Sequence, residues 1–165
     1  MTAGAVLLPM PHAAYATGIT GLTISVPASA SLGSAPTGAS QINGSLGAVT
    51  VSTGISTGTG SWVATVTASA FTTGGHSGNE TIGTSAVSYL SGPVTATSLG
   101  FSSSLCTPGQ LVTPQTLSSP RTAMSCAGVS LLSATSVTWR PTITIALSPS
   151  AVAGTYTGTI THSVA

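Results

Sequence analysis

Aspartate and lysine are absent from this 165-residue chain, and Glu80, Arg121 and Arg140 are its only side chains of fixed charge. Charged residues make up 2% of the sequence, where about a quarter is usual for a soluble domain. The shortage removes whole classes of function. Nucleic-acid binding by counterion release needs several clustered Lys or Arg, and a formal net charge of +1 supplies no cluster. Anionic membrane surfaces are excluded on the same ground. Glycosidase chemistry needs a pair of carboxyls, and Glu80 is the only acidic side chain in the sequence. Calcium sites draw on several oxygen ligands, carboxylates among them, and that requirement is unmet as well.

Other absences narrow the class further. No run approaches the roughly 18 apolar residues that span a bilayer, so no transmembrane segment is expected in the mature chain. Cys-x-x-Cys and His-x-x-x-His spacings do not occur, and neither a metal nor another cofactor is expected. Helical three-four periodicity is missing. What fills the space left by charge is Ser, Thr, Gly and Ala, with 41% hydrophobic residues and abundant Val, Ile and Thr. Disordered chains are poor in β-branched residues, so this one is expected to fold.

The periodicity that is present is two. Leu22, Ile24 and Val26 alternate with Thr23 and Ser25; Val49 and Val51 alternate with Thr50 and Ser52. Trp62, Ala64, Val66 and Ala68 share one face of a run whose other face is Val63, Thr65, Thr67 and Ser69. Further runs are Val87–Tyr89, Val94–Leu99, Val137–Trp139 continuing to Leu147 past Pro141, and Tyr156–His162. Short alternating runs separated by Gly, Pro and Ser predict an all-β fold, an antiparallel Ig-like β-sandwich of about 7–9 short strands. Pro141 predicts an edge or a bulge. Residues 17–165 are expected to form this single domain. The stretch from about 100 to 128 lacks alternation and is expected to be a long loop pinned by a disulfide.

That disulfide is predicted between Cys106 and Cys126, the only two cysteines. Closing a loop of about 20 residues stabilises by about 3 kcal/mol in the chain-entropy model, and such bonds persist in oxidising compartments. The amino terminus agrees. Ala3 to Leu8 is a short apolar stretch, and Ala14-Tyr15-Ala16 is a small-x-small cleavage site. Residues 1–16 are therefore expected to be a truncated signal peptide lacking its basic beginning, and the protein is expected to be secreted.

Three segments occur in order, Leu46-Gly-Ala-Val-Thr-Val-Ser52, Gly60-Ser-Trp-Val-Ala-Thr-Val66 and Ala153-Gly-Thr-Tyr-Thr-Gly-Thr-Ile160. Together they resemble the secreted WxL-domain-like proteins of actinobacteria and other Gram-positive bacteria, over about Leu22 to Val164. The resemblance implies a β-sandwich associated with the cell wall. The chain departs from the motif that names the family: Trp62 is followed by Val-Ala and Trp139 by Arg-Pro.

Reactive groups converge at one place only, His76-Ser77-Gly78-Asn79-Glu80. It lacks a nucleophile elbow and follows Gly74-Gly75, so it reads as a turn at a loop tip and not a catalytic triad. Trp62, Trp139 and Tyr156 fall at apolar phase and are expected in the core; the two indoles are also candidates for stacking on carbohydrate. His162 has inward phase on the last strand, where a packed or rim position is expected. The threonine rows Thr155–Thr161 and Thr65–Thr67 raise an ice-binding face, but no repeat of fixed length supports it. Taken together, the residues predict a noncatalytic protein, secreted or held at the cell surface, whose partner is cell-wall polymer. The alternative is a self-assembling extracellular fibre or coat subunit that joins like subunits by strand exchange or edge pairing, because charge, a usual guard against edge association, is so scarce.

Overall fold

Alternation of large apolar and hydroxyl side chains is obeyed most strictly in the two longest runs. The computed structural model describes residues 2–9, 19–55, 58–75, 77–98, 101–130 and 132–165. In Thr59–Ala68 the buried positions are Gly60, Trp62, Ala64 and Val66; in Thr155–Val164 they are Tyr156, Gly158, Ile160, His162 and Val164. The intervening Thr and Ser face outward, as suits a half-buried pleated surface.

These strands lie at the centre of the first sheet. Its order is β11 (Cys106–Pro108), β13 (Arg121–Ser130), β6 (Thr59–Ala68), β16 (Thr155–Val164), β1 (Thr2–Pro9) and β3 (Ser29–Ser34), with β7 (Phe71–Thr72) and β8 (Thr81–Ile82) attached beside β16. A second sheet runs β10 (Val94–Thr97), β14 (Thr135–Trp139), β5 (Val49–Thr53), β2 (Thr23–Ser25). A third runs β12 (Gln115–Thr116), β9 (Val87–Leu90), β15 (Thr142–Ala146), β4 (Gln41–Ser45).

The second and third sheets are one layer broken across its middle. β4 continues into β5, β14 into β15 and β9 into β10, and the same neighbours pair on both sides of the break. The break falls at Leu46–Ala48, Arg140–Pro141 and Ser91–Pro93, three strands interrupted at one level. Pro141 and Pro93 have no N–H to offer a ladder. Gly47 and Gly92 take φ of 86° and 67°, a conformation open to glycine at little cost. Leu46 N–H donates across the break to the Pro141 carbonyl at 3.0 Å. The expected bulge at Pro141 is thus a bend of the whole layer. This bend, together with pairs of only two or three residues, gives more strands than the 7–9 expected.

The layers enclose a single core that includes Trp62, Trp139, Tyr89, Tyr156 and Phe71, all at most 2% exposed. The architecture is all-β and sandwich-like, and among the described residues no helix is long and apolar enough to cross a membrane. Tyr156 Oη reaches the carbonyls of Val152 at 2.9 Å and Asn79 at 3.0 Å. A tyrosine at a strand start bonded to backbone a few residues upstream is a known corner device of Ig-type sandwiches.

One segment departs from expectation. The stretch from about 100 to 128 is not one loop: Arg121–Ser130 is a full strand between β11 and β6, with β11 and β12 preceding it. Its alternation is hidden by register shifts between Thr122 and Met124 and between Cys126 and Val129. Each shift breaks the period of two, and Gly128, at φ 68°, lies in the second. The disulfide is present, linking Cys106 to Cys126, directly opposed residues of β11 and β13. The rest of the segment is held by a buried polar plug: Ser91 Oγ donates to the Ala123 carbonyl at 2.6 Å, and Gln110 Nε2 donates to Thr122 at 3.1 Å. At the amino terminus Thr2–Pro9, half of the expected signal peptide, forms a strand of the first sheet; residues 10–18, with Ala14-Tyr15-Ala16, lie outside the described residues.

Candidate functional site

The turn that gathers reactive groups in sequence is a closed cap. His76 lies outside the described residues. Ser77 Oγ donates to Glu80 Oε2 at 2.6 Å and Thr73 Oγ1 donates to Glu80 Oε1 at 3.1 Å, while Glu80 N–H donates to the Ser77 carbonyl at 3.0 Å. Both carboxylate oxygens accept hydroxyl protons, and Ser77 spends its own proton on the carboxylate. A side chain at Gly75 would collide with that carboxylate, so the glycine is what lets the cap close. Of the two arginines, Arg121 donates Nε–H to the Thr116 carbonyl at 3.0 Å and Arg140 stands exposed at the layer break.

The aromatic candidates are inside. Trp62 is 2% exposed and Trp139 and Tyr156 are 0% exposed, so neither indole offers a face to a sugar and the carbohydrate-stacking expectation is corrected. Indoles of this size at inward phase are worth more to the core than to the surface. Trp139 Nε1–H donates to Tyr89 Oη at 3.3 Å, and Tyr89 Oη lies 3.0 Å from His162 Nε2. Tyr89 Oη thus stands between the indole N–H of Trp139 and the imidazole of His162, with Ser91 as a further side-chain partner. His162 Nδ1 has no partner among the described residues. Burial lowers the His162 pKa to about 4 and holds the Tyr89 phenol above its ordinary value. The group is neutral and sealed, and it joins the two layers. Sequence showed the inward phase of His162 but not its partners, which lie 73 residues away at Tyr89 and, through it, at Trp139.

One cleft, of about 340 Å³, is lined by residues such as Asn79, Ile82, Ala86, Leu147 and Ala151, with hydroxyls and backbone but no ionisable side chain among its lining. Among the described residues no group of three His, Cys, Asp or Glu could hold a metal.

What the fold does assemble is extended. On the outer face of the first sheet Ser163, Thr65 and Thr122 stand in one row across three strands, and Thr161 stands beside Thr67. Thr65 Oγ1 and Ser163 Oγ are 2.7 Å apart. Thr107, Ser125 and Val63 form a neighbouring row. The hydroxyls therefore repeat at about 4.8 Å across strands and about 6.8 Å along them. The second layer repeats the device, with Thr50 and Thr138 hydroxyls 2.9 Å apart. Beyond β16 on this sheet lies β1, parallel to β16 over eight register pairs and antiparallel to β3. No sequence signal announces this pairing, because the short apolar run Ala3–Leu8 suits a signal peptide and a strand equally.

Comparison with protein-family models, with curated proteins and with solved structures finds no match to this chain.

Proposed function

We propose that this chain is a secreted, noncatalytic β-sandwich protein of the cell surface that associates with cell-wall polymer through the hydroxyl-lined outer face of its first sheet. The observation that carries the reading is the register of Ser163, Thr65 and Thr122 and of Thr161 and Thr67. A polyhydroxylated polymer exchanges hydrogen bonds with such a surface without requiring charge. Export is supported by the Cys106–Cys126 bridge, and wall association by the resemblance to WxL-domain-like proteins. Isolated cell walls test it. The protein is expected to pellet with them to a similar extent at low and high salt, since counterions have little to screen. Thr67→Lys with Thr161→Lys is expected to leave it in the supernatant. Failure of the wild type to pellet at any salt concentration rejects the reading.

A second reading, self-assembly with like subunits by strand exchange, is favoured by one observation. Thr2–Pro9 makes the single parallel pairing among the described residues and has no hairpin partner on either side.

A further inference from the structure

We propose that the position between β3 and β16 is an exchangeable strand site, and that its occupant in assembled protein is Thr2–Pro9 of a second copy. The inference rests on the self-assembly reading and specifies the segment and the acceptor.

The topology isolates this strand. Thr2 to Pro9 pair with Thr155 to His162 in parallel register, and Thr2, Gly4, Ala5 and Val6 pair with Ser34, Ser31, Ala30 and Ser29. β3 has no other strand partner among the described residues, and β16 is bounded on its far side by β6. Taking β1 away leaves a gap one strand wide between two unpaired edges. Each edge presents backbone groups that need partners.

Neither neighbour of β1 is a hairpin partner. The chain leaves Pro9, passes through residues 10–18 and next forms β2 in the other layer. β1 is therefore no hairpin partner of either neighbour, and a nine-residue connection, residues 10–18, joins it to the next described segment. Nine extended residues reach about 30 Å, about three times the roughly 10 Å between packed sheets, so the same connection can deliver the strand to an adjacent copy. Exchange of an identical element between copies keeps every backbone pairing and changes only which copy supplies it. Charge does not oppose it. Thr2–Pro9, Ser29–Ser34 and Thr155–Val164 contain no Asp, Glu, Lys or Arg, and the one titratable side chain among them other than tyrosine, His162, is buried and neutral.

Val6 stands opposite Ser29, close enough for a disulfide between directly opposed residues. The described cysteines of the native chain are already paired, so engineered thiols report alone. Full-length Val6→Cys and Ser29→Cys proteins are mixed, incubated at high concentration, oxidised and resolved without reductant; the double variant is oxidised in dilute solution as the control for seating. The expected result is a linked dimer containing one chain of each single variant, together with an internal link in the dilute double variant. An internal link with no mixed dimer shows the strand fixed in its own chain and overturns the exchange. Absence of both links shows that Thr2–Pro9 does not fill the position and overturns it too. A secreted product beginning near Thr17 overturns it by removing the strand. In any of these three cases, sedimentation of the wild type separates the two ideas: oligomers that persist leave edge pairing as the mode of self-assembly, and a monomer at all concentrations ends that reading as well.

Discussion

Tyr89 and His162, 73 residues apart in sequence, meet at 3.0 Å between Oη and Nε2 with their rings 5.6 Å apart. Tyr89 belongs to β9 of the bent layer and His162 to β16 of the opposite sheet, so this hydrogen bond ties the two halves of the sandwich across the core. Through Trp139 Nε1–H it reaches the other segment of the bent layer as well.

The first prediction concerns acid. The pKa of His162 is lowered to about 4 in the folded protein, from 6.5, because burial disfavours the cation. As pH falls, the unfolded chain takes up the proton first. Stability contributed by this group is intact above about pH 6.5, declines by about 1.4 kcal/mol per pH unit below it, and is exhausted near pH 4, a loss of about 3 kcal/mol. Urea midpoints measured across this window should show the slope, and His162→Gln should flatten it.

Tyr89→Phe removes the acceptor of Trp139 Nε1–H and the partner of His162 together. Both remaining groups are buried, and a buried polar group left unmatched costs about 1–3 kcal/mol. Chemical denaturation should show a loss of about 2–4 kcal/mol for this single oxygen, against about 1 kcal/mol for an ordinary hydrogen bond.

Gly158 is buried in β16 with the Phe71 ring where its side chain would be: a Cβ there would lie 2.6 Å from Phe71 Cγ. Gly158→Ala should destabilise by about 1–3 kcal/mol through overpacking. Thr157→Ala, one residue away and exposed, should change stability by less than about 0.5 kcal/mol. Equal midpoints for the two variants would remove the contact from consideration.

Reduction of Cys106–Cys126, separated by 20 residues, should lower stability by about 3 kcal/mol. Intact mass with thiol labelling should find both sulfurs protected before reduction and both reactive after it. Free thiols in freshly isolated protein would take away the bridge as support for export.

Much of the fold was legible because alternation is a local signal. Trp62–Ala68 and Tyr156–His162 announce their inner and outer faces residue by residue, and the structure keeps both as strands. Arg121–Ser130 was hidden for an equally local reason: two register shifts place Ala123 and Met124, adjacent in sequence, both in the core. Of the surface, the threonines were legible one strand at a time. That Thr65 lies between Ser163 and Thr122 was not, since register joins strands distant in sequence.

The sequence by itself determined how little charge this protein carries and the kind of layer it builds. One acidic side chain and two basic ones leave hydroxyls to wet the sheet surfaces, and apolar residues alternating with Ser and Thr bury one face of a strand. Tertiary structure decided everything that depends on which strands become neighbours. It bent the second layer at Leu46, Ser91 and Arg140, sealed His162 against Tyr89, and set Thr2–Pro9 between β3 and β16. Those outcomes rest on pairings between residues from about 20 to more than 150 positions apart, where backbone hydrogen bonding is common to every residue and composition alone selects no partner.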